Sequence, residues 1–292
     1  MIHVSGQGSG LHLGEKPVDL GLKDATVVIV GASRGIGRAA ARCFAAEGAR
    51  VALLARNLKG LEKTAGQCRE AGGPEVLTFA ADMSSSEQID AAFAGIGEAF
   101  GTLNVLVNNA ANSIGTHGVF EQSNEAVYNE AYNRITVGYV RTTRAALPLM
   151  KAAGWGRIVN VSSVSTSSAG PALHIYNMCK AAVNSLSRAN AKEFAPFGIS
   201  VNVLSPGGIM VEGGNWGEVM NRYFEEAGLD PTNPADAMKL SRIKFGSEEG
   251  AWMQRYGLVD EYGAAITFLG SKANSYMTGA NVNLDGGSNF HS

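Results

Sequence analysis

The sequence is poor in the features that mark secreted, metal-bound and membrane-spanning chains. Among 292 residues there are three cysteines, Cys43, Cys68 and Cys179, widely spaced and without a CxxC pair. That leaves no disulfide framework, and reduced thiols are the expectation. Five histidines stand without ligand spacing, so no metal is assigned. No uninterrupted apolar run nears the roughly 18–20 residues that span a bilayer. Residues 1–24 mix His, Glu and Asp with glycines and lack a hydrophobic signal core, so a cytoplasmic chain is expected. Charge of one sign is missing too. A net charge of -2 and a pI near 6.2 give no footprint for nucleic acid, and no polybasic run addresses a membrane.

What is present points to a compact fold. Hydrophobic residues make up 45% and charged residues 17%, which argues against disorder. Glycine is the surplus, 37 residues, many placed where short apolar runs end. Residues 25–30, 50–54, 76–80, 105–107, 157–161, 200–204 and 280–284 form those runs, as buried strands do. Helix-length segments at 37–47, 59–71, 86–100, 125–152, 175–194 and 262–269 alternate with them. The alternation predicts an α/β fold: one doubly wound, Rossmann-like domain over 25–292 with a mostly parallel seven-stranded sheet and helices on both faces. Residues 1–24 are expected to be a surface arm. Residues 208–255 interrupt the rhythm and hold Trp216, Met220, Tyr223, Phe224, Met238, Trp252 and Met253. Two readings stand: a lid over a site, which the length favours, or a small core of its own.

Two short segments carry chemistry. Gly31-Ala32-Ser33-Arg34-Gly35-Ile36-Gly37 joins the first strand to an Ala-rich helix. Glycines there let the backbone turn tightly and approach a pyrophosphate, whose charge meets the N–H groups at the helix start. The spacing is G-x3-G-x-G rather than G-x-G-x-x-G, and by itself such a stretch is also compatible with a plain tight turn. Farther on, Tyr176 and Lys180 are one helical turn apart and share a face, with Ser163 upstream at the end of the fifth strand. Lowering a phenol from about 10 to about 7 requires ~4 kcal/mol. An ammonium about 5 Å away supplies ~3 kcal/mol at an effective dielectric near 20.

Together with other motifs in register, these segments resemble the short-chain dehydrogenase/reductase family across nearly the whole chain, closest in pattern to 3-oxoacyl-carrier-protein reductase-like members. The glycine loop matches, with Val30 where Thr is commoner. Asp82-Met83 resembles the pair that touches adenine, and Asn108-Asn109-Ala110-Ala111 the NNAG stretch, its last Gly replaced. Pro206-Gly207 matches the turn beside nicotinamide and Leu284-Asp285-Gly286-Gly287 the C-terminal signature. The resemblance implies that Ser163 holds the substrate oxygen and Tyr176 is general acid/base. Lys180 would lower the Tyr176 pKa and bind the nicotinamide ribose. Gly31, Ser33, Arg34, Gly35, Ile36, Gly37, Arg56, Asp82, Met83, Asn109, Ala110, Tyr176, Lys180, Pro206, Gly207 and Ile209 are the expected cofactor residues. The second strand closes on Ala55-Arg56 rather than on a carboxylate, and Arg34 adds a second cation. Paired guanidiniums suit a 2′-phosphate, so NADP(H) is favoured over NAD(H); the alternative is two solvated charges.

Two departures qualify the resemblance. The family's Asn, which positions a water beside the Lys, is replaced by Ile135, and Asn133 cannot stand in without a local helical bulge. A weakened proton supply is expected. Val211 stands where many relatives have Thr, and Ile209 still offers its backbone N–H to the carboxamide. The expected substrate is a small ketone or secondary alcohol, 3-oxoacyl-type first. An acyl-carrier-linked form of it is one expectation, with Arg141 and Lys192 as docking cations or as ordinary solvated charges. A steroid, sugar or xenobiotic alcohol is the alternative. So are a cofactor-binding protein weakened at Ile135, and an epimerase or dehydratase. Cys179 is expected to be a packed thiol, and the family pattern implies a homo-oligomer, tetramer or dimer.

Overall fold

The computed structural model describes residues 18–111, 120–168, 173–210, 212–214, 218–245 and 251–288. Strands and helices alternate in the order β1 (Thr26–Val30), α1 (Gly35–Ala46), β2 (Arg50–Ala55), α2 (Leu58–Glu70), β3 (Val76–Ala80), α3 (Ser86–Phe100) and β4 (Val105–Asn108). Then come α4 (Glu125–Tyr132), α5 (Gly138–Ala153), β5 (Gly156–Val161), the single turn α6 (Ser165–Ser168), α7 (His174–Phe194) and β6 (Ile199–Pro206). The chain closes with α8 (Glu218–Ala227), α9 (Pro234–Phe245), α10 (Val259–Leu269) and β7 (Asn281–Leu284). All seven strands run parallel in the order β3-β2-β1-β4-β5-β6-β7. The fold is the doubly wound domain that the alternating runs predict.

Each strand feeds two cores because its side chains alternate. Val27 and Ile29 of β1 pack with Phe44, Leu61, Tyr262 and Ile266 on the face covered by α1, α2 and α10. Val28 and Val30 pack with Ile89, Phe93, Ile96, Met150 and Val183 on the face covered by α3, α5 and α7. Strands flanked on both faces need no polar side, which is why TVVIV is buried throughout. The sheet reverses its order between β1 and β4, so the strand ends on either side of that point open a crevice.

Two features depart from the sequence reading, and a third bears on one of its alternatives. The helix expected over 125–152 is broken at Asn133–Val137 by a π turn, which separates α4 from α5. The end of the N-terminal arm is not surface: Leu22 is 1% exposed in the core, and Leu20 accepts a backbone bond from Lys272. The described part of 208–255 has its own small core, in which Met210, Phe224, Ala237 and Leu240 pack with Met220, Tyr223 and Tyr256. Of the aromatics and methionines expected there, Met238 is also buried, whereas Trp252 and Met253 are exposed. Trp216 and Val211 lie outside the described residues.

Candidate active site

Parallel topology brings the ends of β1 to β6 to one edge, and with them nearly every residue singled out from the sequence. Gly31 leaves β1 at φ +82, and a Cβ there would lie 2.7 Å from the Ala110 backbone, so only glycine fits this crossing of the β1 and β4 ends. The Asn109 amide donates to the Gly31 carbonyl at 3.1 Å and ties the two turns together. Gly37 packs against the same carbonyl, and Ile36 is buried beneath.

Gly35 opens α1 at φ +58 with nothing within 4 Å of where its Cβ would stand. No side chain caps that helix start and its first turn carries no acid. Open space, unclaimed N–H groups and the positive end of a helix are what an anionic pyrophosphate needs. The site therefore fits a dinucleotide.

Around this cradle, Ser33 supplies its carbonyl to Arg38, while Arg34 points to solvent. The α2 start packs on Ser33 through Gly60, which brings the end of β2, and Arg56, beside the loop. Arg56 is 62% exposed and lies 3.6 Å from Asp82. Burial pushes the Asp82 carboxyl up, but two bonds from Ser84 and the Arg56 guanidinium outweigh it, holding the group below the usual carboxylate range. Met83 is buried, and its carbonyl accepts from Arg141. Arg141 also donates to Ser86 Oγ and to the carbonyl and Oδ1 of Asn133, so it is turned inward rather than offered for docking. Lys192 is exposed.

On the other side of the crevice, Ser163 follows β5, Tyr176 and Lys180 come from the first turns of α7, and Pro206-Gly207 ends β6. Ala111, Ser163, Val164, Ser165, Tyr176 and Gly207 line a cleft of about 380 Å³, which Leu173 and Gly208 complete. Ser163 Oγ lies 2.8 Å from Ser165 Oγ, which donates to Asn177 Oδ1 at 2.6 Å. Asn177 and Ser165 escaped the sequence reading. The Gly207 N–H donates to Leu284, which docks the C-terminal signature under the turn. Ile209 bridges to Gly257 through the Gly208 carbonyl and the Met210 N–H, which leaves its own N–H outside the bridge.

Beneath the cleft runs a buried polar chain. Thr142 donates to Asn108, Asn108 to Asn160, and Asn160 to Ser187, linking α5, β4, β5 and α7. Lys180 sits above it, wholly enclosed, donating to the Val161 carbonyl at 2.6 Å and to the Tyr139 hydroxyl at 3.1 Å. Its Nζ is 5.8 Å from the Tyr176 ring centre.

Burial dominates both groups. It pushes the Lys180 amine down to about 7. It pushes the Tyr176 phenol up to about 12, against a bond from Ser163 that pulls the other way. The expected lowering of the Tyr176 phenol by its neighbouring ammonium is outweighed by the cost of enclosing each group. Cys179 is a packed thiol, raised by burial.

Neither candidate for the family's Asn reaches Lys180. Ile135 is fully buried against Ile175, Cys179 and Tyr176. The bulge that Asn133 would require is present as the π turn, yet Asn133 faces Arg141 at 2.7 Å. Among the described residues, no group of three or more His, Cys, Asp or Glu could hold a metal, and no helix is long and apolar enough to cross a membrane.

Comparison with known proteins agrees with this geometry. Residues 25–215 match the family model for short chain dehydrogenase. The chain is 34% identical over 262 residues to 1,6-dihydroxycyclohexa-2,4-diene-1-carboxylate dehydrogenase of Pseudomonas putida, covering 89% of this chain and 91% of that one. Its structure is similar to L-sorbose reductase of Gluconobacter frateurii complexed with NADPH and L-sorbose, at TM-score 0.84 and 28% identity, covering 94% of this chain and 100% of that one. It is also similar to an NAD+-bound xylitol dehydrogenase, at TM-score 0.77 and 27% identity, over 91% and 99% of the two chains.

Proposed function

The chain belongs to the short-chain dehydrogenase/reductase family of oxidoreductases acting on alcohols and ketones, and from that premise we propose that Tyr176 is its general acid/base. The observation that carries this reading is the convergence of Tyr176, Ser163 and Gly207 on one cleft beside the glycine cradle. When bound, a nicotinamide cofactor supplies or accepts hydride at the substrate carbon. In reduction, the Tyr176 hydroxyl gives its proton to the carbonyl oxygen, and in oxidation it takes the proton back. Ser163, whose proton rests on Ser165 Oγ while Ser165 donates to Asn177, turns that proton to the same oxygen when substrate binds. Lys180 offers positive charge beside the phenol and keeps an N–H for the ribose. The Ile209 N–H is available for the carboxamide.

NADP(H) is the proposed cofactor. Support comes from Ala55 and Arg56 closing β2 without a carboxylate, and from exposed Arg34 and Arg56 near the same loop. A small ketone or secondary alcohol is the substrate class. A 3-oxoacyl ketone rests on motif pattern alone. A cyclic or sugar alcohol is favoured by the diol and sugar substrates that the relatives' names carry and by the modest cleft. The segment 208–255, whose first residue lines the cleft, would cover it. A homo-oligomer over the β7 edge, with exposed Tyr276 in the loop that leads into that strand, belongs to the same reading.

The test is kcat/KM for NADPH and NADH oxidation against acyclic 3-oxo esters, cyclic diones and ketoses, in the wild type and Tyr176→Phe. Retained turnover in Tyr176→Phe overturns the mechanism. A preference for NADH overturns the cofactor assignment.

A further inference from the structure

The mechanism needs Lys180 charged and fixed, yet Ile135 gives it no polar partner and Asn133 is committed elsewhere. The geometry points to Tyr139 as the positioning residue that fills this gap: its phenol oxygen accepts from Lys180 Nζ and holds the ammonium beside the Tyr176 ring. The inference rests on the catalytic reading of Tyr176 and Lys180 and deepens it.

Tyr139 enters from the first turn of α5, four positions after Ile135. Its side chain is wholly buried, and its hydroxyl donates to the Val161 carbonyl at 3.1 Å. Lys180 donates to that same carbonyl and to the Tyr139 oxygen, so Val161, Tyr139 and Lys180 close a triangle. A core that only needed bulk here would be filled by phenylalanine without enclosing a hydroxyl. Both acceptors are neutral and favour the charged amine, partly offsetting the burial that lowers it.

The other groups facing Lys180 are few. From α7 come Tyr176 and Cys179, and the β5 end contributes Ser162, whose hydroxyl donates to the Lys180 carbonyl. Cys179 accepts at its carbonyl from Thr136 and feels Arg134. Among the described residues no carboxylate shifts Lys180, so loss of the Tyr139 oxygen has no charged substitute.

Removing that oxygen makes the ammonium less stable, and a neutral Lys180 leaves Tyr176 harder to ionise. In Tyr139→Phe, the midpoint of the pH profile for alcohol oxidation should therefore rise by about one unit, with kcat at neutral pH down roughly tenfold and substrate KM within about twofold. A readout independent of turnover is the titration of the Lys180 Nζ in 15N-lysine-labelled protein, assigned by its loss in Lys180→Met. Tyr139→Phe should move that titration to lower pH by a similar amount.

An unchanged Lys180 titration and an unchanged pH profile in a folded Tyr139→Phe protein overturn the proposal. Should the variant fail to fold, the wild-type signal decides: slowly exchanging ammonium protons in through-space contact with the Tyr139 ring support the clamp, and a freely exchanging amine overturns it. Turnover surviving in Tyr176→Phe would instead sink the catalytic reading, while the labelled lysine still reports on Tyr139.

Discussion

Two cations lie along the cofactor crevice in opposite surroundings. Arg56 is 62% exposed and faces Asp82 across 3.6 Å of solvated surface. Lys180 is enclosed, with its partners a carbonyl and a phenol. Water screens the first pair, so moving or deleting either partner changes little. Around Lys180 nothing screens, and each neighbouring atom shifts the balance between amine and ammonium. On the proposed reading, similar positive charges thus do different jobs: one adds modest affinity for an anion, and the other sets a proton's free energy. The contrast is open to direct attack.

The largest effect should follow from the buried member. Lys180→Met is expected to cut kcat by about a hundredfold to ten-thousandfold, the range for losing a general acid/base system, with cofactor binding weakened less. Steady-state kinetics with NADPH and a verified ketone check it, and a loss below about tenfold would place Lys180 on the same footing as Arg56.

Stability gives the second test. Folding strips a proton from Lys180 between about 7 and its ordinary value near 10.4. The unfolded chain binds more protons in that window, so stability rises with pH there, by up to about 1.4 kcal/mol per pH unit. Below 7 both states are charged and the burial penalty is present in full. Tyr176 acts oppositely at higher pH: its phenol stays protonated to about 12 in the fold while the unfolded chain ionises near 10, so stability falls above about pH 10. Urea melts of wild type minus Lys180→Met should show the rise from 7 to 10. A flat difference curve would mean that water reaches the amine.

The same contrast explains what the sequence could disclose. The alternation of strands and helices, the glycine loop and the candidates Ser163, Tyr176 and Lys180 could be picked out because each depends on local pattern: apolar runs, turn residues, a spacing of four. Ile135 was also legible as a gap. Tyr139 was not, because its role depends on where β5 and α7 place the Val161 carbonyl and the Lys180 amine, a meeting of three elements distant in the chain. A signal existed: a hydroxyl-bearing aromatic one turn beyond the gap, on the same helical face. The start of α9 in the 208–255 segment carries an unread signal of the same kind, Asn233-Pro234. Asn233 Oδ1 accepts from the N–H groups of Ala235 and Asp236 at the start of α9, and Pro234 needs no N–H partner there. What pattern alone did not disclose was the cost of enclosing charge, since that cost depends on packing.

The smallest effect belongs to the exposed cation. Arg56→Ala should raise the KM for NADPH about three- to fivefold at low salt and leave that for NADH within about twofold, with Arg34→Ala similar and the double variant near tenfold. Both side chains stand in water, so the penalty should shrink as ionic strength rises and the screening length falls to about 8 Å or less. Lys180→Met should show no such salt dependence, because counter-ions do not reach it. If the Arg56 penalty proves insensitive to salt, the guanidinium is desolvated when cofactor is bound. The crevice then closes over the β2 end, and the solvated half of the comparison becomes another enclosed one.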